Sequence, residues 1–448
     1  MPPHPLLDAA RGEPGGDKSP APPAPLTSHP ERASARKDNV LKNPRSEMKS
    51  RGKMKMQAKR HRCRCKHLFL AAAILATSPK PAPPAQAPVV RGEVPQQVES
   101  VFLPAVEGVE VETWVDDLRI PWSLVFLPNG DALVAERRGT IQRIPQGGNK
   151  PELYAELDVA HTGDCGLMGL ALPPDFAARA SIYAMHCYRE GEKLFTRVVR
   201  LQHSGDTGTF ENAVYSGIPG NVYHIGGRIG FGPDGMLYVG TGDINQPDLA
   251  QHLGSLAGKV LRLTPEGEIP ADNPFPGSPV YSYGNRVVQG LAWDPRSGAL
   301  FNSEHGPSGE RGVDQRDEVN RIEKGANYGW PRVVGAPNLP AYRDPIAMWK
   351  HPAAPPGGLT FYRGDLFVAT LGSQALIRIR FKEGGENYEI AAIERWFASA
   401  AGDATYGRLR DVVAGPDGHL YALTSNHDGR ARLRAGDDKI LRLRFTAP

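Results

Sequence analysis

The sequence predicts an all-β protein, a six-bladed β-propeller of four-stranded antiparallel blades, and three observations carry that expectation. A short phrase recurs along the chain: apolar residues, then Pro-Asp-Gly or a variant of it, then a strand of alternating apolar residues. The copies lie roughly 45–70 residues apart, which is room for four short strands each. No run of 3.6-residue periodicity interrupts them, so helices have no place between the copies.

Each copy is a hairpin signal. Pro presets φ for a turn, Asp or Asn closes it with a side-chain hydrogen bond, Gly takes the positive φ, and the flanking β-formers pair. The first turn is Pro128-Asn129-Gly130, followed by Pro173-Pro174-Asp175 and Pro233-Asp234-Gly235. Asp294-Pro295 and Gly364-Asp365 are degenerate copies, and Pro416-Asp417-Gly418 is the last. Together they span about Val109 to Phe445. Seven blades, or a pair of β-sandwiches, are the alternative readings of so degenerate a repeat. A propeller hosts enzymes and interaction scaffolds alike, so function has to be argued from side chains.

Upstream of the repeat the chain changes character. Residues 1–87 hold 17 Lys and Arg against 6 Asp and Glu, so the remaining residues carry −7 within the whole-chain charge of +4. Nucleic-acid binding would need a basic face on the folded part, and the charge excess lies elsewhere. The basic stretch Lys59 to Lys66 is followed by the apolar Leu68–Ala76, then Pro and small residues ending in Ala85-Gln86-Ala87. That is the layout of a secretory signal peptide over about 56–87, and its apolar run falls short of the ~20 residues that span a bilayer. We therefore expect a disordered basic leader over 1–87, with translation starting at Met48, Met54 or Met56, and a propeller over 88–448. Export to the periplasm or the medium follows, with no stable membrane span. Removal of the leader discards Cys63 and Cys65 and leaves Cys165 and Cys187, either as one disulfide or as two buried thiols.

Three segments carry unusual polar residues beside glycine-rich backbone. In the first, Tyr223-His224-Ile225-Gly226-Gly227-Arg228 precedes the Pro233 turn and Gly240-Thr241-Gly242-Asp243 follows it. Strands paired about that turn bring His224 and Asp243 together, and a carboxylate beside an imidazole fixes its tautomer and suits it to act as a general base. The second runs through Asn285-Arg286, Ser303-Glu304-His305-Gly306-Pro307, Asp317-Glu318 and Asn327-Tyr328-Gly329-Trp330-Pro331. Carboxylates, amides and kinked backbone carbonyls are the hard oxygen ligands that Ca²⁺ prefers; a solvated polar loop is the plainer reading. In the third, Arg408 and Arg410 stand at i, i+2 on a strand and offer two guanidinium forks to a polyanion, unless they form surface ion pairs with Asp411 or Asp417.

In this order, from Ile120-Pro121-Trp122 to the final strand Lys439–Leu443, these motifs resemble the soluble PQQ-dependent aldose sugar dehydrogenases of the glucose/sorbosone dehydrogenase family. The resemblance implies a six-bladed propeller holding pyrroloquinoline quinone (PQQ) and Ca²⁺, and oxidation of an aldose at C1 to a lactone by hydride transfer. His224 matches the family's general base, Asp243 the acid that orients it, and Arg286 the arginine on the quinone oxygen. Arg408 and Arg410 match residues facing the cofactor carboxylates, and Asp164 stands where glucose-type members carry a cofactor-contacting glutamine. Gly306 and Pro307 match carbonyl ligands of the cofactor-bound Ca²⁺. Asp317, Glu318 and Tyr328 fall where relatives bind a further Ca²⁺. An external electron acceptor is also implied, and the sequence leaves the choice between monomer and homodimer open. Two departures stand out: Val287 replaces an asparagine after the arginine, and Gly372 a cofactor-binding lysine. They point to the broader aldose-type branch. The rival readings are a non-catalytic propeller that binds a carbohydrate or a protein, and a Ca²⁺-dependent lactone hydrolase.

Overall fold

The structure is a computed structural model describing residues 88–384 and 387–446. The basic leader, the signal segment and its cysteines, and the alternative starts lie outside the described residues. Among the described residues the strands form six radially arranged antiparallel blades, each with four strands paired in order from the centre outward. The innermost strands are Pro121–Phe126, Leu167–Ala171, Gly226–Phe231, Val288–Trp293, Pro356–Tyr362 and Leu409–Ala414. Each packs against the innermost strands of both neighbouring blades, and the sixth packs against the first, which closes the ring.

All six recurrent turns occupy one structural position, the hairpin between a blade's first and second strands. The register is set there: Phe231 faces Leu237 across the Pro233 turn, and Ala414 faces Leu420 across the Pro416 turn. The second strands Ala132–Glu136, Leu237–Thr241, Leu300–Glu304 and Leu420–Thr424 are buried along their whole length. They are flanked by two strands within the blade and by a blade on either face. Both side-chain directions are therefore apolar, and the alternation expected from the sequence is lost. Leu133 and Val134, neighbours pointing opposite ways, are both fully buried; truncating Leu133 to Ala would cost about 2–5 kcal/mol.

Closure uses the two ends of the repeat. Val109–Val115 supplies the outermost strand of the last blade by pairing with Ile440–Phe445. Ser100–Leu103 adds a parallel fifth strand to the blade that ends in Ile390–Trp396, and Val90–Arg91 pairs with Val333–Val334. Cys165 and Cys187 are joined in a disulfide that ties the entrance of one inner strand to its neighbour, which decides between the two readings of that pair.

Strand alternation then dictates where chemistry can gather. Within an antiparallel blade the first-to-second turn lies on one face of the ring. The second-to-third loop, and the link entering the next blade, lie on the other. Asp164, His224, Arg286 and Arg408 stand at or just before inner strands, and Asp243, His305 and Asp428 just after second strands. One face collects them all, opposite the Pro-Gly turns.

Candidate active site

The third blade builds the first part of the site. Gly226 pairs with Thr241, so the residues just beyond the pairing, His224 and Asp243, meet at the mouth of the central channel. His224 Nδ1 lies 2.9 Å from Asp243 Oδ1. The Asp243 carboxylate is fully buried and fully engaged. Its Oδ1 also accepts from the Asn245 backbone N–H at 3.0 Å, and its Oδ2 accepts from the Trp330 indole N–H at 2.8 Å. His224 adopts the left-handed φ of +59°, a backbone cost of about 1 kcal/mol that turns its ring toward the channel. Its carbonyl presses on the facing strand where only glycine fits: a Cβ on Gly242 would sit 2.0 Å from the His224 oxygen.

The fourth blade supplies the opposing group. Arg286 Nη2 donates to His224 Nε2 at 3.0 Å and to Glu310 Oε1 at 2.6 Å, while Nη1 donates to the His305 carbonyl at 3.2 Å. A guanidinium only donates, so Nε2 must be the acceptor and the ring proton resides on Nδ1, facing Asp243. The imidazole thus presents its unprotonated Nε2, here accepting from Arg286, toward the cleft. Below it His305 donates from Nε2 to the Pro356 carbonyl at 2.6 Å. Burial, then the Arg286 and Arg410 charges, push this imidazole down to about 3, so it stays neutral.

A cationic cluster lies between the sixth, first and second blades. Arg408 is buried and forms two 2.8 Å bonds with Asp428, so the surface-pair reading of Arg408 and Arg410 does not hold. Asp411, one of the surface partners considered, instead pairs at 3.0 Å with Arg228 inside the channel. Arg410 donates to Gln289 Oε1 at 3.0 Å and lies over the Trp122 ring. Burial and the neighbouring Arg408 push its guanidinium down to about 9. Arg137 is likewise lowered by burial, with Asp164 and Asp428 opposing the shift. Arg430 reaches across from the sixth blade to Asp164 at 3.1 Å and lies over Tyr223. Four guanidiniums therefore share two carboxylates. Three of them, Arg137, Arg408 and Arg410, are buried, and buried cations in excess are costly until an anion arrives, so the cluster is suited to a ligand carrying two or more carboxylates. The Nε atoms of Arg137, Arg286 and Arg410 lack partners among the described residues.

The oxygen-rich segment is arranged around a narrow cavity of about 10 Å³ lined in part by Glu304, Gly306, Glu318 and Tyr328, the scale of one water or small ion. Glu304 and Glu318 are cross-strand partners. Burial, and for Glu318 the charge of Glu304, raise both carboxyls well above their ordinary range. Asp317 lies beside them but spends both oxygens on backbone N–H groups, those of Gly306 at 3.0 Å and Ala354 at 2.9 Å. It fixes the Gly306-Pro307 turn. The Tyr328 hydroxyl is turned away to Arg321 and Glu323, which leaves its carbonyl as the group able to face a cation. The Pro307 carbonyl accepts from the Gln315 N–H at 2.7 Å and keeps one lone pair. Among the described residues there is no cluster of three or more His, Cys, Asp or Glu side chains arranged for a metal, so any ion here rests largely on carbonyls.

Four residues of the site escaped the sequence reading, Arg137, Glu310, Asp428 and Arg430, and Trp330 stood in the Asn327–Pro331 motif without an assigned role. Arg137 and Asp428 follow second strands, as Asp243 does, and that shared repeat position was the available signal. Glu310 sits in a short irregular turn with no such marker. The departures also find a place. Val287 is buried, bridges to Gly242 and accepts from the His305 N–H at 3.1 Å. A Cβ on Gly372 would meet Pro355 at 2.7 Å, so a lysine there would require that proline to move.

Comparison with known proteins agrees with the fold and the motifs. The family model for glucose/sorbosone dehydrogenase matches residues 118–435. Aldose sugar dehydrogenase YliI of Escherichia coli is 34% identical over 367 residues, 74% of this chain and 94% of that protein. The PQQ-bound aldose sugar dehydrogenase of Streptomyces coelicolor is 41% identical with a TM-score of 0.66, covering 75% of this chain and 98% of that one. A structure from Thermus thermophilus is 50% identical with a TM-score of 0.70, covering 75% and 99%. With the ring of six blades, this places the chain in the glucose/sorbosone dehydrogenase family.

Proposed function

We propose that the protein is an exported quinoprotein that oxidises aldose sugars at C1 to lactones, with PQQ as its cofactor and Ca²⁺ as its metal. The observation that carries this reading is the pairing of a base with an anion site. The lone pair of His224 Nε2 accepts from Arg286, and beside them lies a cluster of four guanidiniums, three of them buried, that share two carboxylates. Arg137, Arg408 and Arg410 would hold the carboxylates of PQQ, with Asp164 and Asp428 keeping the guanidiniums in place. PQQ, when bound, supplies the acceptor for the hydride that leaves C1.

The protein's own groups account for the proton. As hydride departs, His224 Nε2 takes the proton from the anomeric hydroxyl, and the sugar becomes the lactone. The resulting imidazolium faces the buried Asp243 carboxylate, whose second oxygen is anchored on Trp330, so the base has no freedom to turn away. Arg286 presents N–H donors on the opposite side of the cleft, where they can stabilise negative charge developing in the transition state. Gly306 and Pro307 would offer carbonyls to Ca²⁺ at the cofactor, with Asp317 holding their turn rigid. Glu318, Glu304 and the Tyr328 carbonyl suit a second, structural Ca²⁺.

The test is reconstitution with PQQ and Ca²⁺ followed by an assay of aldose-dependent dye reduction. Activity in the wild type, lost in His224→Ala with cofactor binding intact, is the expected outcome. A protein that takes up no PQQ at micromolar concentration would refute the reading. Lactone hydrolysis without the cofactor would favour the hydrolase. The start is tested separately by N-terminal sequencing of the exported protein, where a mature chain retaining Pro2–Glu47 would contradict initiation at Met48, Met54 or Met56.

A further inference from the structure

On the face opposite His224, a cavity of about 760 Å³ lies between the last and first blades, where the ring is closed. Its walls are the turns Pro128-Asn129-Gly130 and Pro416-Asp417 and the closing strand around Trp114. We propose that this cavity is a second carbohydrate site, one that takes a neutral oligosaccharide and is independent of the oxidation chemistry.

The lining argues for that class of ligand. Trp114, Phe126 and Tyr421 form one aromatic cluster, Tyr421 meeting the other two rings at 4.9 and 5.0 Å. The Trp114 ring is pinned by its indole N–H, which donates to the Gly148 carbonyl at 2.8 Å. A fixed aromatic surface at the wall of a wet cavity is what the apolar C–H face of a pyranose packs against. Around it stand groups that satisfy hydroxyls, the exposed amide of Gln146 among them, while the Asn129 amide is held by Asp131.

Charge excludes the main competitors. Glu112 is paired with Arg442 and Arg444, and Asp417 accepts from the Tyr421 hydroxyl at 2.8 Å. Of the charged residues lining the cavity, Glu112 and Asp417 are acidic and Arg442 is the one cation, already paired with Glu112, so the lining does not suit a phosphate or a carboxylate, and the polar rim does not suit a lipid. The volume falls within the 300–1,000 Å³ or so typical of small-molecule sites, room for a short oligosaccharide rather than a single hexose. Both neighbouring turns carry Pro and Gly, so the walls are preformed, and little ordering accompanies binding.

The experiment is calorimetric titration of the full chain with maltotetraose and, separately, cellotetraose. The wild type, Trp114→Ala, Gln146→Ala and His224→Ala are compared. Saturable binding of either sugar is expected, unchanged in His224→Ala and weakened about tenfold or more in Trp114→Ala. Should Trp114→Ala fold poorly, Gln146→Ala is the reporter: its side chain is exposed, so its melting temperature should match the wild type while binding falls several-fold. The proposal is overturned if neither sugar binds, or if binding vanishes in His224→Ala and survives in both cavity variants. Because no cofactor enters the titration, failure of the dehydrogenase reading would leave this result standing, and the reverse also holds.

Discussion

Replacing Asp243 with Asn removes one charge and leaves the shape of the site almost unchanged, so the cost can be worked from its neighbours. Three donors converge on the carboxylate: His224 Nδ1–H, the Asn245 N–H and the Trp330 indole N–H. An amide has one acceptor oxygen, so in one orientation its NH₂ faces the indole, and in the other it faces both His224 and Asn245. The first orientation keeps the imidazole tautomer and loses one hydrogen bond. The imidazolium formed during reaction then lacks its counter-charge. For unit charges about 4 Å apart at an effective dielectric near 20, that interaction is worth about 4 kcal/mol. At about 1.4 kcal/mol per decade, kcat of sugar-dependent dye reduction should fall by about three orders of magnitude. The affinity for PQQ, titrated by absorbance, should stay within a factor of about three, because the guanidinium cluster is untouched. An Asp243→Asn enzyme with kcat within tenfold of the wild type would refute the assignment of Asp243 as the partner of a proton-accepting His224.

Other perturbations test the rest of the site. Arg137→Gln removes one of the surplus cations and should weaken PQQ binding about ten- to a hundredfold, the worth of a charge-assisted bond, with kcat at saturating cofactor little changed. Burial, and for Glu318 also the charge of Glu304, raises the Glu304 and Glu318 carboxyls above their unfolded values. In the cation-free protein the stability they contribute is therefore full at acid pH and is lost as pH rises from the carboxylate range through neutrality. Added Ca²⁺ should restore it, raising Tm more at about pH 8 than at about pH 5, and Glu318→Gln should abolish that difference. Lys259, fully buried, donates from Nζ to the carbonyls of Leu249, Ala250 and Ala257. Lys259→Met strands those acceptors and should lower unfolding stability by about 3 kcal/mol in a denaturant titration, with the 244–258 loop losing amide-exchange protection first.

What could be read from the chain follows from how local each signal is. The six turns were legible because Pro, Asp and Gly act within three or four residues, and each turn proved to be the same hairpin of successive blades. His224 and Asp243 were legible for the same reason: one hairpin register brings them together. Alternation in the second strands was a poorer guide, since burial by neighbouring blades makes both faces of Ala132–Glu136 apolar. The partners of the charged groups were the hardest to see. Arg408 pairs with Asp428 across a blade, Arg286 reaches Glu310 in an irregular turn, and Arg430 crosses to Asp164 from the far end of the chain. The first two lie within a single blade, in loops whose course the strand register does not set; only the last depends on ring closure, which sets blades side by side without leaving a periodic trace in either segment. Asp317 is instructive in another way: a carboxylate beside Glu318 suggested a metal ligand, yet its oxygens serve the backbone of Gly306 and Ala354.

The same geometry changes the weight of the residue after Arg286. On sequence alone Val287 counts against cofactor binding, because relatives place an amide there. In the folded ring the backbone at this point carries the load: the Arg286 carbonyl accepts from the Asp243 N–H at 2.7 Å, and the Val287 carbonyl from His305. These bonds set the base and the opposing guanidinium at their separation, and a buried valine meets the requirement as well as asparagine would. Affinity for a polyanion is concentrated instead at the other end of the site, where two guanidinium charges stand unmatched. Substituting Val287 by Asn should therefore alter PQQ affinity less than Arg137→Gln does. If the Asn variant instead binds PQQ more than tenfold tighter than the wild type, the amide matters more than the cluster, and the division of labour argued from the charges is wrong.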